Sequence, residues 1–422
     1  MSASPLAMPD PHALLSPTAQ ADPYPVYHQL RAVAPVYRSP IFNGWMLTRY
    51  EDVKAFLQDP RVAAGSLDVD VRATLPEDLQ DKWTEIFQFL SMWVIGLNPP
   101  EHRRLRQLLN VGFKPRLVEK LRERIQEITD ELIDVVQATG QIELIGDFAY
   151  PLPAIVIGEL LGLPASGRPL LRTWSQTIVT FLSTGTQGDR AAIEAMHQTL
   201  RDITDYLGEI IAARRSTPQE DLLSGLIAAE EQGSVLNAEE LVAACVMLLF
   251  AGHETTMNLI GNGFMALLQH PDQYALLAAD SSLTSNAVEE LLRYDGPVQV
   301  IWRTAAEDIA IGGQQIHAGE RIIPCLGAAN RDPAQFAEPD RLDIRRANAG
   351  SNISFGHGIH YCLGAPLARL EAQIAFASLL RRLPGLGLVD EAVVWRGLLS
   401  VRGVQALPLA FDKARTRDHA HQ

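Results

Sequence analysis

One cysteine in this chain stands in surroundings unlike those of the other two. Cys362 lies in Ser354-Phe355-Gly356-His357-Gly358-Ile359-His360-Tyr361-Cys362-Leu363-Gly364-Ala365-Pro366, where Gly356, Gly358 and Gly364 fall within nine residues. Glycine at that density marks a tight loop that admits positive φ and lets the backbone approach something flat or bulky. Directly afterwards Leu367, Leu370, Ile374, Ala377 and Leu380 recur at helical spacing, and Pro366 falls in the first turn, where a missing N–H is harmless. The thiol therefore stands at the N-terminal end of a helix, where free amides and the positive dipole end stabilise a thiolate. An inert buried thiol is one competing reading. A zinc site with His357 and His360 is the other, but no second cysteine or histidine cluster stands nearby and the spacing fits no common zinc pattern. A thiolate bound to another kind of metal centre suits the loop better than either.

A second pattern is Ala251-Gly252-His253-Glu254-Thr255-Thr256. It interrupts a stretch, Leu241 to Phe250, that is apolar nearly all round, as a buried helix would be. Polar and acidic groups there are costly unless paired or used, and a glycine costs about 1 kcal/mol against alanine. Two readings stay open: a harmless polar patch on a partly exposed face, or an acid and an alcohol placed to move protons.

The two patterns together carry a resemblance. Phe355-Gly356-x-Gly358-x-His360-x-Cys362-x-Gly364 resembles the heme-binding signature of the cytochrome P450 family at every fixed position, and Ala251-Gly252-His253-Glu254-Thr255 resembles its oxygen-activation motif. The likeness extends through Glu290-Leu291-Leu292-Arg293, Glu338-Pro339-Asp340-Arg341, Ala329-Asn330-Arg331-Asp332-Pro333 and Pro99-Pro100-Glu101-His102-Arg103-Arg104-Leu105-Arg106, blocks typical of the soluble bacterial branch. Asn98 stands where Asp is frequent and Leu342 where Phe is common, neither touching the chemistry.

The resemblance implies a mostly α (α+β) helical prism with a small β region and a long central helix over heme b. It implies a monooxygenase of secondary metabolism that inserts one oxygen atom into a lipophilic small molecule. Electrons would come from NAD(P)H through a separate ferredoxin or flavodoxin and its reductase. By matching position Cys362 is the iron ligand, Phe355 shields its sulfur, and Gly356 and Gly358 let backbone amides approach it. Gly364 and Ala251 also fall at cofactor-contacting positions. His102, Arg106, Arg303 and His360 match the positions that hold the heme propionates. Glu254 and Thr255 become the acid–alcohol pair, and Gly252 leaves room beside the helix for dioxygen. Glu290, Arg293 and Arg341 are expected as a structural ion triad. The substrate walls would come from Phe87, Phe89, Met92, Trp93, Thr180, Phe181, Leu182, Met247, Leu248, Val298, Val300, Ile301 and Leu399. A peroxide-driven peroxygenase and a non-catalytic heme sensor are the alternatives. Neither has need of the acid–alcohol pair.

The elements that must position these residues are mostly helical. The longest runs from about Ala238 to Gln269, opened by a capping box of Asn237 and Glu240 and stopped by Pro271. It would be about 48 Å long, enough to cross the molecule. Spacing also predicts a helix over Tyr50–Gln58 and one long amphipathic helix over Pro115–Gln137. Strand patterns occur at Val36–Arg38, Trp45–Thr48 and Glu320–Pro324. Asp308–Ile311 and Gln314–His317 form a hairpin around Gly312-Gly313.

Composition bounds the rest. The 422 residues are 47% hydrophobic and 20% charged, with no linker or repeat. One domain over 25–412 is expected, between a flexible segment 1–24 and a flexible tail 413–422. A net charge of -14 argues against a nucleic-acid partner. Three widely spaced cysteines form no disulfide framework, and the Pro- and Ser-rich start resembles neither signal peptide nor membrane anchor, so a cytoplasmic protein is expected. Against the acidic whole, Arg103, Arg104, Lys114, Arg116 and Arg369 are expected to form a basic patch that steers an acidic electron donor to the cysteine side.

Overall fold

A computed structural model describes residues 10, 12–64, 71–183, 185–231, 236–389, 393–396 and 399–412. The expected tail 413–422 lies outside the described residues.

The central helix spans Ala238–Gln269. The Asn237 side chain accepts from the Glu240 amide, and the Glu240 carboxylate accepts in return from the Asn237 amide, which completes the capping box. The helix is long and apolar enough to pass for a membrane span, yet 78% of its most apolar window is buried within the protein. It is a core helix, packed on Pro151–Leu160, Thr284–Asp295 and Ala365–Arg382. A glycine makes one of these approaches possible. A Cβ on Gly263 would lie 2.5 Å from the Phe376 ring, on the helix that follows the cysteine. At the next residue, Phe264 and Phe376 stack with centroids 4.8 Å apart.

The β region is small. A five-stranded sheet runs in the order Val36–Ser39, Gly44–Leu47, Arg321–Pro324, Arg303–Ala305 and Val62–Ala64. Only the pairing of Gly44–Leu47 with Arg321–Pro324 is parallel in this sheet. The Ile309–Ile311/Gln314–Ile316 hairpin forms as expected, with Gly312 and Gly313 at φ 54° and 79°. The helix Tyr50–Gln58 is found within its expected bounds.

Two expectations are corrected. The Pro115–Gln137 helix is broken into Pro115–Glu119 and Arg122–Gln137. At the break Lys120 and Leu121 donate to the carbonyls three residues back, and this tighter turn buries Val118 while leaving Leu117 exposed. The described part of segment 1–24 is docked, not frayed. Ser16 caps a short helix, Leu14, Ala19 and Tyr24 are buried, and Arg402 donates to the carbonyls of Gln20 and Ala21. Leu14 and Tyr24 join Tyr27, Leu30, Met46 and Cys325 in a core of their own, which composition alone does not disclose.

Candidate active site

The cysteine loop closes on itself through a 2.9 Å hydrogen bond from the Cys362 amide to the Phe355 carbonyl. Gly364 caps the helix Ala365–Arg382. Burial pushes the Cys362 thiol up. The Gly364 amide, the Arg106 guanidinium, the Ala365 amide and Arg369 pull the other way. The sulfur therefore faces the free N–H groups of a helix start, the placement that favours a thiolate. The glycines act through the turn that they allow, not through their own amides. The Gly356 amide donates to the Ile353 carbonyl and the Gly358 amide to His357 Nδ1, so neither serves the sulfur. Both residues sit at φ 72°, and a Cβ on Gly358 would stand 2.2 Å from the Leu57 carbonyl oxygen. They shape the turn and let it rest on the end of the Tyr50–Gln58 helix. Phe355 is half-buried, with the Arg369 guanidinium 4.5 Å from its ring centroid.

Beside this loop four basic side chains converge. The His102 and His360 rings lie 4.2 Å apart, and His102 Nε2 is buried without a partner. The Arg303 side chain donates to the Trp302 carbonyl, and Arg106 to that of Tyr361. Among the described residues no carboxylate pairs with any of the four. Their titration reflects the crowding. Burial, with Arg303, His102 and Arg106 nearby, pushes His360 down to about 3, and burial lowers Arg303 to about 10. His102 is held low by burial and by Arg106 and Arg303. Uncompensated buried cations are unfavourable, so this cluster is built to receive anions.

The ion triad forms with one change of member. Glu290 is fully buried and receives Arg293 through bonds of 2.7 and 2.8 Å. Its third partner is Arg346, not Arg341: Arg346 Nε lies 3.0 and 3.1 Å from the two carboxylate oxygens. The Arg341 side chain is 62% exposed and pairs loosely with Glu338, while its carbonyl accepts from Arg293 and Arg346.

On the central helix Ala251 is exposed and Thr255 half-buried although the flanking turns are buried, so this side of the helix opens onto free space. The Thr255 hydroxyl donates to the Ala251 carbonyl at 3.1 Å. Glu254 is buried and turned elsewhere, into an ion pair with Arg396. Gly252 is also corrected. A Cβ there would stand 2.9 Å from Ile157, so the missing side chain admits the neighbouring helix Pro151–Leu160.

Residues 178–384 match the family model described as Cytochrome P450. A vitamin D(3) 25-hydroxylase of Pseudonocardia autotrophica is 43% identical over 95% of this chain and 96% of its own length. The monooxygenase PikC of Streptomyces venezuelae is 42% identical over 94% and 92%. Among solved structures, P450BioI in complex with an acyl carrier protein bearing hexadec-9Z-enoic acid superposes with a TM-score of 0.86, at 38% identity and over 94% and 99% of the two chains. Myxobacterial CYP267B1 in complex with myristic acid gives 0.85, at 39% identity over 96% and 100%. The chain belongs to the cytochrome P450 family. It is a P450 monooxygenase with heme b as cofactor.

The residues present fit that cofactor. Heme brings an iron for the Cys362 sulfur and two propionates for a cluster of cations that lacks acids of its own. No group of three His, Cys, Asp or Glu gathers as a metal site among the described residues.

The expected substrate walls divide. Phe89, Met92, Val298, Ile301 and Leu399 keep exposed surface, whereas Phe87, Trp93, Met247 and Leu248 are buried in this P450. Phe181 and Val300 are core residues. Phe181 is wedged against Trp83 and Phe87 with centroids 6.0 Å away, and Val300 packs among Tyr27, Met46 and Cys325. Thr180 spends its hydroxyl on the Gln176 carbonyl, and Leu182 packs against the main core.

Sequence reasoning missed Arg346, Arg396 and Glu371. Nothing periodic marks the two arginines. Glu371, on the helix after the cysteine, is 1% exposed with neither carboxyl oxygen bonded, and burial pushes its carboxyl well up. A carboxyl raised by folding contributes stability at acid pH that is lost as pH climbs from the ordinary carboxylate range through the raised value. Glu371→Gln is therefore expected to flatten the alkaline decline in the unfolding midpoint of the heme-loaded protein. A variant that follows the parent at every pH would contradict this.

Proposed function

We propose that this P450 inserts one atom of dioxygen into a C–H or C=C bond of a lipophilic small molecule. NAD(P)H would supply two electrons through a ferredoxin or flavodoxin and its reductase. The observation that carries the reading is the open side of the central helix, where Thr255 offers a hydroxyl and the residue before it in the chain is the buried acid Glu254. A vitamin D(3) hydroxylase among its relatives and a neighbour solved with myristic acid both concern lipophilic molecules.

When bound through a thiolate, heme supplies an electron-rich iron that favours O–O cleavage. Cys362 is the ligand, held by the Gly364 and Ala365 amides and screened by Phe355. His102, Arg106, Arg303 and His360 bind the propionates. Ala251 borders the reacting space, and Gly252 sets the helix spacing behind it. The Thr255 oxygen keeps lone pairs with which to orient a water while its proton is shared with Ala251. Glu254 moves protons from solvent toward that water. Glu290, Arg293 and Arg346 fix the scaffold.

An acidic electron donor would dock beside the cysteine loop. Arg104 and Arg369 are committed to Glu240 and Glu289, which withdraws them from the expected patch. Arg103, Lys114 and Arg116 are exposed there, and Ile359 and Tyr361 add apolar surface. The reading places one domain from about Ala13 to Asp412, in the cytoplasm.

Turnover with NAD(P)H, an acidic ferredoxin and its reductase tests the reaction. Thr255→Ala is expected to go on consuming NAD(P)H while product per cofactor falls severalfold and peroxide rises. An unchanged ratio would leave the hydroxyl to its helix bond. Equal turnover from peroxide alone would favour the peroxygenase, and none under either regime the sensor.

A further inference from the structure

Glu254 and Thr255 are neighbours in sequence but face different surroundings. Thr255 shares the open side of the central helix with Ala251, while the Glu254 carboxylate is bound by the Arg396 guanidinium, whose other terminal nitrogen lies 3.9 Å from Met257 Sδ. Arg396 stands in a pair of extended C-terminal segments, residues 394–396 and 403–405, joined by an isolated β-bridge. Its amide donates to the Gly403 carbonyl at 2.9 Å, Trp395 bridges Val404, and the Gln405 amide donates to Val394 at 2.8 Å. That pair is itself anchored. Arg402 binds Asp295 at 2.7 Å, and its guanidinium lies 3.6 Å from the centroid of the Trp395 ring. Leu399, one of the expected substrate walls, belongs to the same segment.

We infer that Arg396 is the positioning residue for Glu254: it holds the carboxylate turned toward these C-terminal segments, so proton delivery at Thr255 depends on this grip. The inference rests on the assignment of Glu254 made above. Asn258, four residues along the same helix, also lowers the Glu254 carboxyl but carries no charge, and the titratable groups near Glu254 cannot take over the role. Tyr150 stands within electrostatic reach of it, with the Arg172 guanidinium 5.1 Å from the Tyr150 ring centroid on one side and the His253 ring 5.4 Å away on the other. His253 gives its Nδ1 proton to the Leu249 carbonyl, and burial keeps its ring neutral. Arg396 is therefore the charge in direct contact with the carboxylate. Burial raises the Glu254 carboxyl, and Arg396, with a smaller share from Asn258, opposes that rise, so removing the guanidinium leaves an acid that stays protonated to higher pH.

The test uses the heme-loaded enzyme. In Arg396→Met the basic limb of the profile of product per NAD(P)H against pH is expected to move up by about one unit or more. Arg396→Lys should return it close to the parent position. Infrared spectra at neutral pH should show a protonated-carboxyl band in Arg396→Met that is absent from the parent and from Arg396→Met/Glu254→Gln. Should Arg396→Met fail to fold, Arg396→Gln serves both measurements. A pH profile that overlies the parent, or a carboxyl band that survives in the double variant, would overturn the role of Arg396. Unchanged coupling in Glu254→Gln alone would instead overturn the assignment of Glu254 as the acid.

Discussion

Cys362→His is expected to abolish NAD(P)H-driven product formation, down to the level of a heme-free control, while part of the heme is retained. Retention follows because the Arg106 and Arg303 guanidiniums and the His102 and His360 rings stay in place to receive the propionates. Loss of activity follows because the loop is built around a small anion. The Gly364 and Ala365 amides and the Arg106 and Arg369 guanidiniums all favour negative charge at that point. A neutral imidazole cannot use those donors, and it gives the iron less electron density than a thiolate. The measurement is the reduced spectrum under carbon monoxide, which in the parent should show the red-shifted Soret band of thiolate ligation. A variant that kept the band would place the ligand elsewhere.

The second large effect separates two arginines five residues apart. Arg346→Ala is expected to cost about 3–5 kcal/mol and to release heme during purification, because it leaves the fully buried Glu290 with one guanidinium fewer. Arg346 also donates to the carbonyls of Ala337, Glu338 and Arg341, so the variant unties an irregular segment as well. Arg341→Ala should change stability by no more than about 0.5 kcal/mol, since its side chain is exposed and its useful carbonyl remains. Thermal unfolding and heme content of the two purified variants decide the matter. The opposite order would restore Arg341 to the triad.

Much of the site is legible in sequence because it is local. A dense run of glycines before a helix start fixes what surrounds Cys362, and a capping box with a following Pro fixes the length of the central helix. The rest depends on contacts between distant segments or on regions without period. Between Glu338 and Asn348 no helix or strand is formed, so nothing in the spacing says which arginine points inward. The partner of Glu254 lies 142 residues away on a bridged segment of ordinary composition. Gly252 reads equally well as space for a ligand or as space for a neighbouring helix until Ile157 is located. The Pro- and Ser-rich start looks loose because composition reports neither Leu14 nor Tyr24 finding a core.

That docked start bears on how the enzyme can be shortened or fused. Arg402 is nearly buried and satisfies its terminal nitrogens on the main-chain oxygens of Gln20 and Ala21. Tyr24 completes the arrangement with a 2.7 Å bond to Asp295. Since main-chain atoms do the work at positions 20 and 21, side-chain identity there is nearly free, but the presence of chain is not. Deletion to Asp22 would strip a buried guanidinium of two acceptors and loosen the bridged segments that carry Arg396. A reductase joined to this end for self-sufficient catalysis therefore belongs ahead of Ala13, with its linker leaving the Pro17–Ala21 turn intact.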